Sequence, residues 1–132
     1  MPRLRRDVRG QETLQAILVV AFVLLPLLVS VVTFGSLIHE YIGTQAAAAA
    51  GARAAGSVGG FGPDQLSRVL EALRSNGIDA ERCAIEARPT TVALDQPITI
   101  TVSCPRHVGI PFLLERDVNL SSTYVARGEV NR

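Results

Sequence analysis

Residues 16–38 read AILVVAFVLLPLLVSVVTFGSLI, twenty-three consecutive positions without a charged side chain. A helix needs about twenty apolar residues to cross the hydrocarbon core of a bilayer, so this stretch is long enough to span one. It follows MPRLRRDVRG, in which Arg3, Arg5, Arg6 and Arg9 are offset only by Asp7, and it precedes His39 and Glu40. Basic residues collect on the cytoplasmic side of a span, so the flanks predict an N-terminus inside and residues 39–132 exported. A secretory signal peptide shares the basic start, but its apolar region usually runs to about 7–15 residues. The length favours a retained single-pass anchor in the cytoplasmic (inner) membrane.

Outward from the span, no strong helix stop occurs between residue 12 and about residue 56 except Pro26 and scattered glycines. TQAAAAAGARAAGS, residues 44–57, continues a helical composition, because alanine is the best helix former. One helix over 11–56 is therefore expected. At 1.5 Å per residue it would reach roughly 65 Å, about twice the hydrocarbon thickness, so its second half must project from the bilayer. Pro26 lacks an amide donor and is expected to kink the helix without ending it.

SVGGFGPD, residues 57–64, is the first clear loop. Pro63 and Asp64 suit the first turn of a second helix, and Leu66, Val69, Leu70 and Leu73 recur at the spacing of one apolar face. Gly77 supplies its stop. This amphipathic helix is expected to lie on the sheet formed by the later residues. From residue 81 the period becomes two. Cys83, Ile85 and Ala87 alternate with polar residues, as do Ile98, Ile100, Val102 and Cys104, so both runs read as half-buried strands. A third strand is expected over 117–127, with Val118, Leu120 and Tyr124 on one face. CPRHVGIPFLLER, residues 104–116, reads as an irregular connection in which Phe112, Leu113 and Leu114 find no place. The predicted fold class is α+β: a long N-terminal transmembrane helix and an exported head, residues 57–132, of one amphipathic helix and an antiparallel sheet.

Only two cysteines occur, both in the part expected outside. If Cys83 faces Cys104 in an antiparallel pair, Ile85 meets Val102 and Ala87 meets Ile100, which keeps apolar residues together; a one-residue slip would mix the faces. A disulfide is then expected in an oxidising compartment and would be worth about 3 kcal/mol for a loop of roughly twenty residues, whereas a cytoplasmic domain would hold the two as free thiols. A small head with no Trp would benefit from such a staple. The two cysteines lie too far apart, with only His39 and His107 elsewhere, for the ligand spacing of a zinc site, and no metal or cofactor is expected.

The chain carries a formal charge of +1, and without its first ten residues, which hold four Arg and one Asp, that becomes −2. No nucleic-acid partner is implied. His107 has no nucleophile at a recognisable spacing, and His39 and Glu40 point in different directions from a helix, so they read as a solvated pair at the membrane boundary. Gly59, Gly60 and Gly62 do not follow a strand, which removes the phosphate-loop reading. Nothing in the pattern argues for an enzyme.

Three stretches carry a family resemblance: RGQETLQAILVV at 9–20, Phe34-Gly35, and AAAAAGARAAG at 46–56. Over about its first 56 residues the chain resembles the TadE-like minor pseudopilins of tight-adherence (Flp-type) type IV pili. The resemblance implies that residues 1–10 are a leader removed by a prepilin peptidase between Gly10 and Gln11. It further implies that the retained helix leaves the bilayer sideways to pack with other pilins and pseudopilins on the inner-membrane platform of the Tad machinery. Ala47, Gly51 and Ala55, at four-residue spacing, suit close helix approach in such an assembly; a plain alanine-rich stalk is the alternative. Pilins generally carry Glu at the fifth mature position, where it meets a neighbour's N-terminal ammonium. Here that position is Gln15, with Glu12 at the second, and the departure implies a priming or tip role over that of a repeated shaft subunit. Two other readings stay open: a single-span envelope protein whose head binds a partner outside any filament, and a domain released by ordinary signal peptidase.

Overall fold

The computed structural model describes residues 7–110 and 114–130, with side chains from Gly10 onward. Residues 1–6 of the expected leader, together with Phe112 and Leu113, lie outside the described residues. The chain is α+β, built from helix α1 (Asp7–Val58), helix α2 (Pro63–Ser75), a short 3-10 turn (Ala80–Arg82), and strands β1 (Ala84–Arg88), β2 (Pro97–Ile110) and β3 (Leu114–Arg127). The strands form one antiparallel sheet in the order β1-β2-β3.

α1 is one continuous helix through Pro26. Its two halves face different surroundings. Between Leu14 and Ile42 its large apolar side chains stand exposed, except Val29 and Leu37, which are half-buried. From Gly43 onward one face is packed, and Ala47, Ala48, Ala52 and Ala55 are fully buried against Val69, Leu73, Ile98, Ile100 and Val102. The buried stripe of α1 has only small residues, so large side chains on the opposing elements fill the space, and alanine orders at no side-chain entropy cost. The core of the head therefore begins inside α1, ahead of residue 57.

Both helices end in the same way. Gly59 (φ 74°) and Gly77 (φ 71°) take the left-handed conformation that glycine reaches without steric cost. The Gly60 amide then reaches Ala55 O at 2.9 Å, and the Ile78 amide reaches Leu73 O at 3.0 Å, the six-to-one bond of a Schellman ending. Gly77 is thus the stop its sequence position indicated. At the start of α2, Gln65 Oε1 accepts the Gly62 amide at 2.9 Å.

α2 corrects one expectation. It packs chiefly on α1 and not across the sheet, with Val69 and Leu73 buried, Leu70 partly so and Leu66 exposed. The physical reason is Gly51, which leaves a gap in α1: a Cβ there would lie 2.4 Å from Val69 Cγ2. The Gly and Ala stripe offers α2 a closer seat than the branched side chains of the sheet.

The register of the first strand pair is the one the apolar alternation required. Ile85 pairs with Val102 and Ala87 with Ile100. One step outward, Cys83 and Cys104 form a disulfide with Cα atoms 4.2 Å apart. On β2, Ile98, Ile100, Val102, Cys104 and Val108 are buried while their neighbours look outward. The outer face is polar, with Thr101 bonded to Thr123 and Ser103 to Asn119.

Residues 104–116 are the second correction. The described ones are strand, not irregular: β2 continues to Ile110 and β3 starts at Leu114, so the two pair over fourteen residues each. Pro105 permits this because of where its missing donor points. The short Cα separation of the cysteine pair marks a non-hydrogen-bonded pair, so Cys104 directs its backbone groups to β3 and Pro105 directs its own to the β1 side. β1 begins only at Ala84, opposite Ser103, so proline removes no ladder bond there.

Candidate functional surface

Two surfaces distinguish this molecule: the apolar first half of α1, and the seam along which its second half joins the head. Among the described residues one helix is long and apolar enough to cross a membrane. Its exposed apolar surface is continuous around the helix, far beyond what a monomer presents to water. Gly10, Gln11, Glu12 and Gln15 all lie at the exposed start of this half, Gly10 within the helix itself.

The seam includes polar side chains, of which the sequence reading singled out Glu40 as solvated and passed over Thr44, Arg106 and Ser122. Glu40 and Arg106 form an ion pair between α1 and β2, with the Glu40 side chain only 16% exposed. This corrects the reading of Glu40 as solvated, whereas His39 does remain exposed. One turn on, Thr44 Oγ1 and Ser122 Oγ lie 2.9 Å apart, and both residues are buried. Thr44 donates its proton to Tyr41 O at 2.8 Å. A hydroxyl has one proton to give, so Ser122 must be the donor to Thr44. Farther along, the Arg53 guanidinium lies over the Tyr124 ring at 5.8 Å, within the range of a cation–π contact. At the far end, a Cβ on Gly56 would lie 2.6 Å from Arg127 O, so the end of β3 touches the α1 backbone. The Glu129 amide also donates to Gly56 O at 2.9 Å.

Ala47, Gly51 and Ala55 sit within this same stripe and are buried by the chain's own α2 and sheet. The close approach that their spacing allows is realised inside the chain. Glu40, Thr44, Ala47, Gly51 and Ala55 recur every three or four residues, so the stripe was readable as a face, including its polar members. Their partners were not, because Arg106 and Ser122 lie 66 and 78 positions away.

The remaining charged and polar pairs are peripheral. His107 Nδ1 meets Asp117 across β2 and β3 at 2.8 Å, which places His107 in a strand and not in a loop. Arg127 meets Asp95 at 2.8 Å, and that hydrogen bond, with the carboxylate charge behind it, holds the guanidinium still more firmly in its charged form. Such exposed pairs contribute little to stability. Among the described residues no three His, Cys, Asp or Glu side chains gather as a metal site would need.

Comparison of the chain with protein-family models, with curated proteins and with solved structures found no match. The family resemblance thus stands on the residues of 9–56 alone.

Proposed function

We propose that the chain is a minor pilin-like structural subunit needed for assembly of a tight-adherence type IV pilus, held in the cytoplasmic membrane by the first half of α1 until it is assembled. The observation that carries this reading is the division of one uninterrupted helix: apolar and mostly exposed over 16–38, then packed into the head from Glu40 and its core from Gly43. A head that shares a helix with its anchor cannot swing independently. Its orientation is fixed to the span by the Glu40–Arg106 pair, the Thr44–Ser122 bond and the buried alanines. That rigidity suits a subunit whose helices must bundle while the heads keep register, and it suits a tethered binding head less well, since such heads gain reach from flexible linkers.

Three sequence features support the same reading. The basic leader ends at Gly10, where glycine lowers the cost of opening a helix for a peptidase. Gln11 would begin the mature chain, and Gln15 would stand where a repeated pilin places a carboxylate. An amide there cannot neutralise a neighbour's ammonium in lipid, which is costly to bury unpaired. The partners of this reading are the prepilin peptidase, other pilins and the inner-membrane platform; no catalysis belongs to the chain.

The test is filament assembly in cells that lack the chain. Loss of surface pili, restored by the intact gene, together with only trace amounts of the chain in sheared filaments, is the expected result. Normal piliation without it would leave an envelope anchor as the better reading. Gln15→Glu should raise its abundance along the fibre.

A further inference from the structure

We propose that Asn119, on the outer face of β3, is an N-glycosylation site of the head. The proposal rests on export of the head in the reading above and not on its entry into a filament. DVNLSSTYVAR, residues 117–127, contains the one place in the chain where asparagine is followed two residues later by serine or threonine with no proline between, Asn119-Leu120-Ser121. That tripeptide is the acceptor signal for N-glycosylation, and the modification belongs on the surface of an exported protein. A tripeptide alone is weak; three features of the fold make this one an acceptor. The first is exposure. Strand alternation sets Asp117, Asn119 and Ser121 on the outer face, all three exposed, while the adjacent Ser122 is buried against Thr44 of α1. A sugar on Asn119 therefore stands on the side of the sheet away from α1 and leaves the core unchanged.

The second feature is the state of the amide. Ser103 Oγ donates to Asn119 Oδ1 at 2.9 Å, so the carbonyl side is held while Nδ2, the atom that would carry the sugar, has no partner among the described residues. The third is the backbone. β3 is at the margin of the sheet, and Cys104, which directs its backbone groups to β3, lies opposite Leu120. Leu120 therefore directs its own groups to β2, and the alternate residues Asn119 and Ser121 direct theirs away from the sheet. An extended main chain with open N–H and C=O groups is what an enzyme binds by adding a strand to it. The Ser121 hydroxyl lies two residues along the same face, about 7 Å from Asn119 in a strand. The donor is an oligosaccharide carried on a polyprenyl diphosphate, and a membrane oligosaccharyltransferase supplies the catalysis. Nδ2 forms a bond to the anomeric carbon of the first sugar, the bond from that carbon to the diphosphate oxygen breaks, polyprenyl diphosphate leaves, and one Nδ2 proton passes to a base of the transferase. A sugar there also covers the open edge of β3, which otherwise offers a template for pairing with another chain.

The full chain is recovered from the membranes of its own cells and digested with trypsin, which cuts after Arg116 and Arg127 and releases the peptide from Asp117 to Arg127. The mass of that peptide is read before and after mild alkali, which strips sugars from hydroxyls and leaves those on amide nitrogen. The expected result is a mass increment of whole sugar units that alkali does not remove, kept by Ser121→Thr and lost in both Asn119→Gln and Ser121→Ala. The state of Cys83 and Cys104 is read from the same sample, because their disulfide reports an oxidising compartment and a folded head. An unmodified peptide from a disulfide-bonded chain would overturn the proposal and leave export standing. An unmodified peptide from a chain with free thiols would overturn export and the proposal together. An increment that alkali removes, or that persists in Asn119→Gln, would assign the sugar to the neighbouring hydroxyls and overturn Asn119 as the acceptor.

Discussion

Gly51 sets how close α1 lies to α2. Its missing side chain is replaced by Val69 Cγ2, and Ile100 Cγ2 lies 3.6 Å from the same point. Val69 is β-branched and fully buried, so it cannot rotate away cheaply. Gly51→Leu should cost about 1–3 kcal/mol by overpacking, read as a lower unfolding midpoint in detergent, whereas Ala46→Leu on the exposed face should stay within about 0.5 kcal/mol. Thr44 and Ser122 give a second contrast. Removing Thr44 as Thr44→Val strands the buried Ser122 donor and should cost about 1–3 kcal/mol; Ser122→Ala leaves Thr44 bonded to Tyr41 O and should cost less. The double variant should be milder than the sum of the two, as a double-mutant cycle in the same unfolding assay would show.

At the scale of elements, strand register was the most legible part of the sequence. The alternation of Ile98, Ile100, Val102 and Cys104 against Cys83, Ile85 and Ala87 admitted one pairing that kept the faces separate, and the disulfide came with it. Opening that bridge as Cys83→Ser with Cys104→Ser should cost about 3 kcal/mol, measured as a drop in the unfolding midpoint. The extent of β2 and β3 was not legible, because Pro105 and Gly109 look like loop residues until the edge on which they fall is known. The face of α2 was read correctly, but its neighbour was not; an amphipathic stripe says how much to bury and is silent on what covers it. The Glu40–Arg106 pair was hidden for the same reason. Lying mostly out of solvent, it should show a coupling of about 1–2 kcal/mol in a cycle with Glu40→Gln and Arg106→Met, between the values of exposed and fully buried pairs.

For the whole molecule, composition alone divides α1 into apolar and alanine-rich halves, but it does not reveal that the second half is the core of the head. A domain boundary at residue 57 looks reasonable on that basis, because SVGGFGPD is a loop and the residues after it have their own helix and strands. In the fold, residues 57–132 alone would lose Ala47, Ala48, Ala52 and Ala55 from beneath Val69, Leu73, Ile98, Ile100 and Val102. That fragment should fail to unfold cooperatively, whereas residues 39–132, which keep the seam from Glu40 to Gly56, should fold; circular dichroism during heating separates the two. The contacts described along the seam, from the Glu40–Arg106 pair through Thr44–Ser122 to the buried alanines, all lie beyond residue 39.

The pilin-like reading is best tested by the N-terminal mass of the full chain recovered from membranes of cells with and without the prepilin peptidase. A chain starting at Gln11 is expected when the peptidase is present, and one retaining residues before Gly10 when it is absent. A chain with the same unprocessed start in both strains, or one that has lost the whole of 16–38, would contradict that reading.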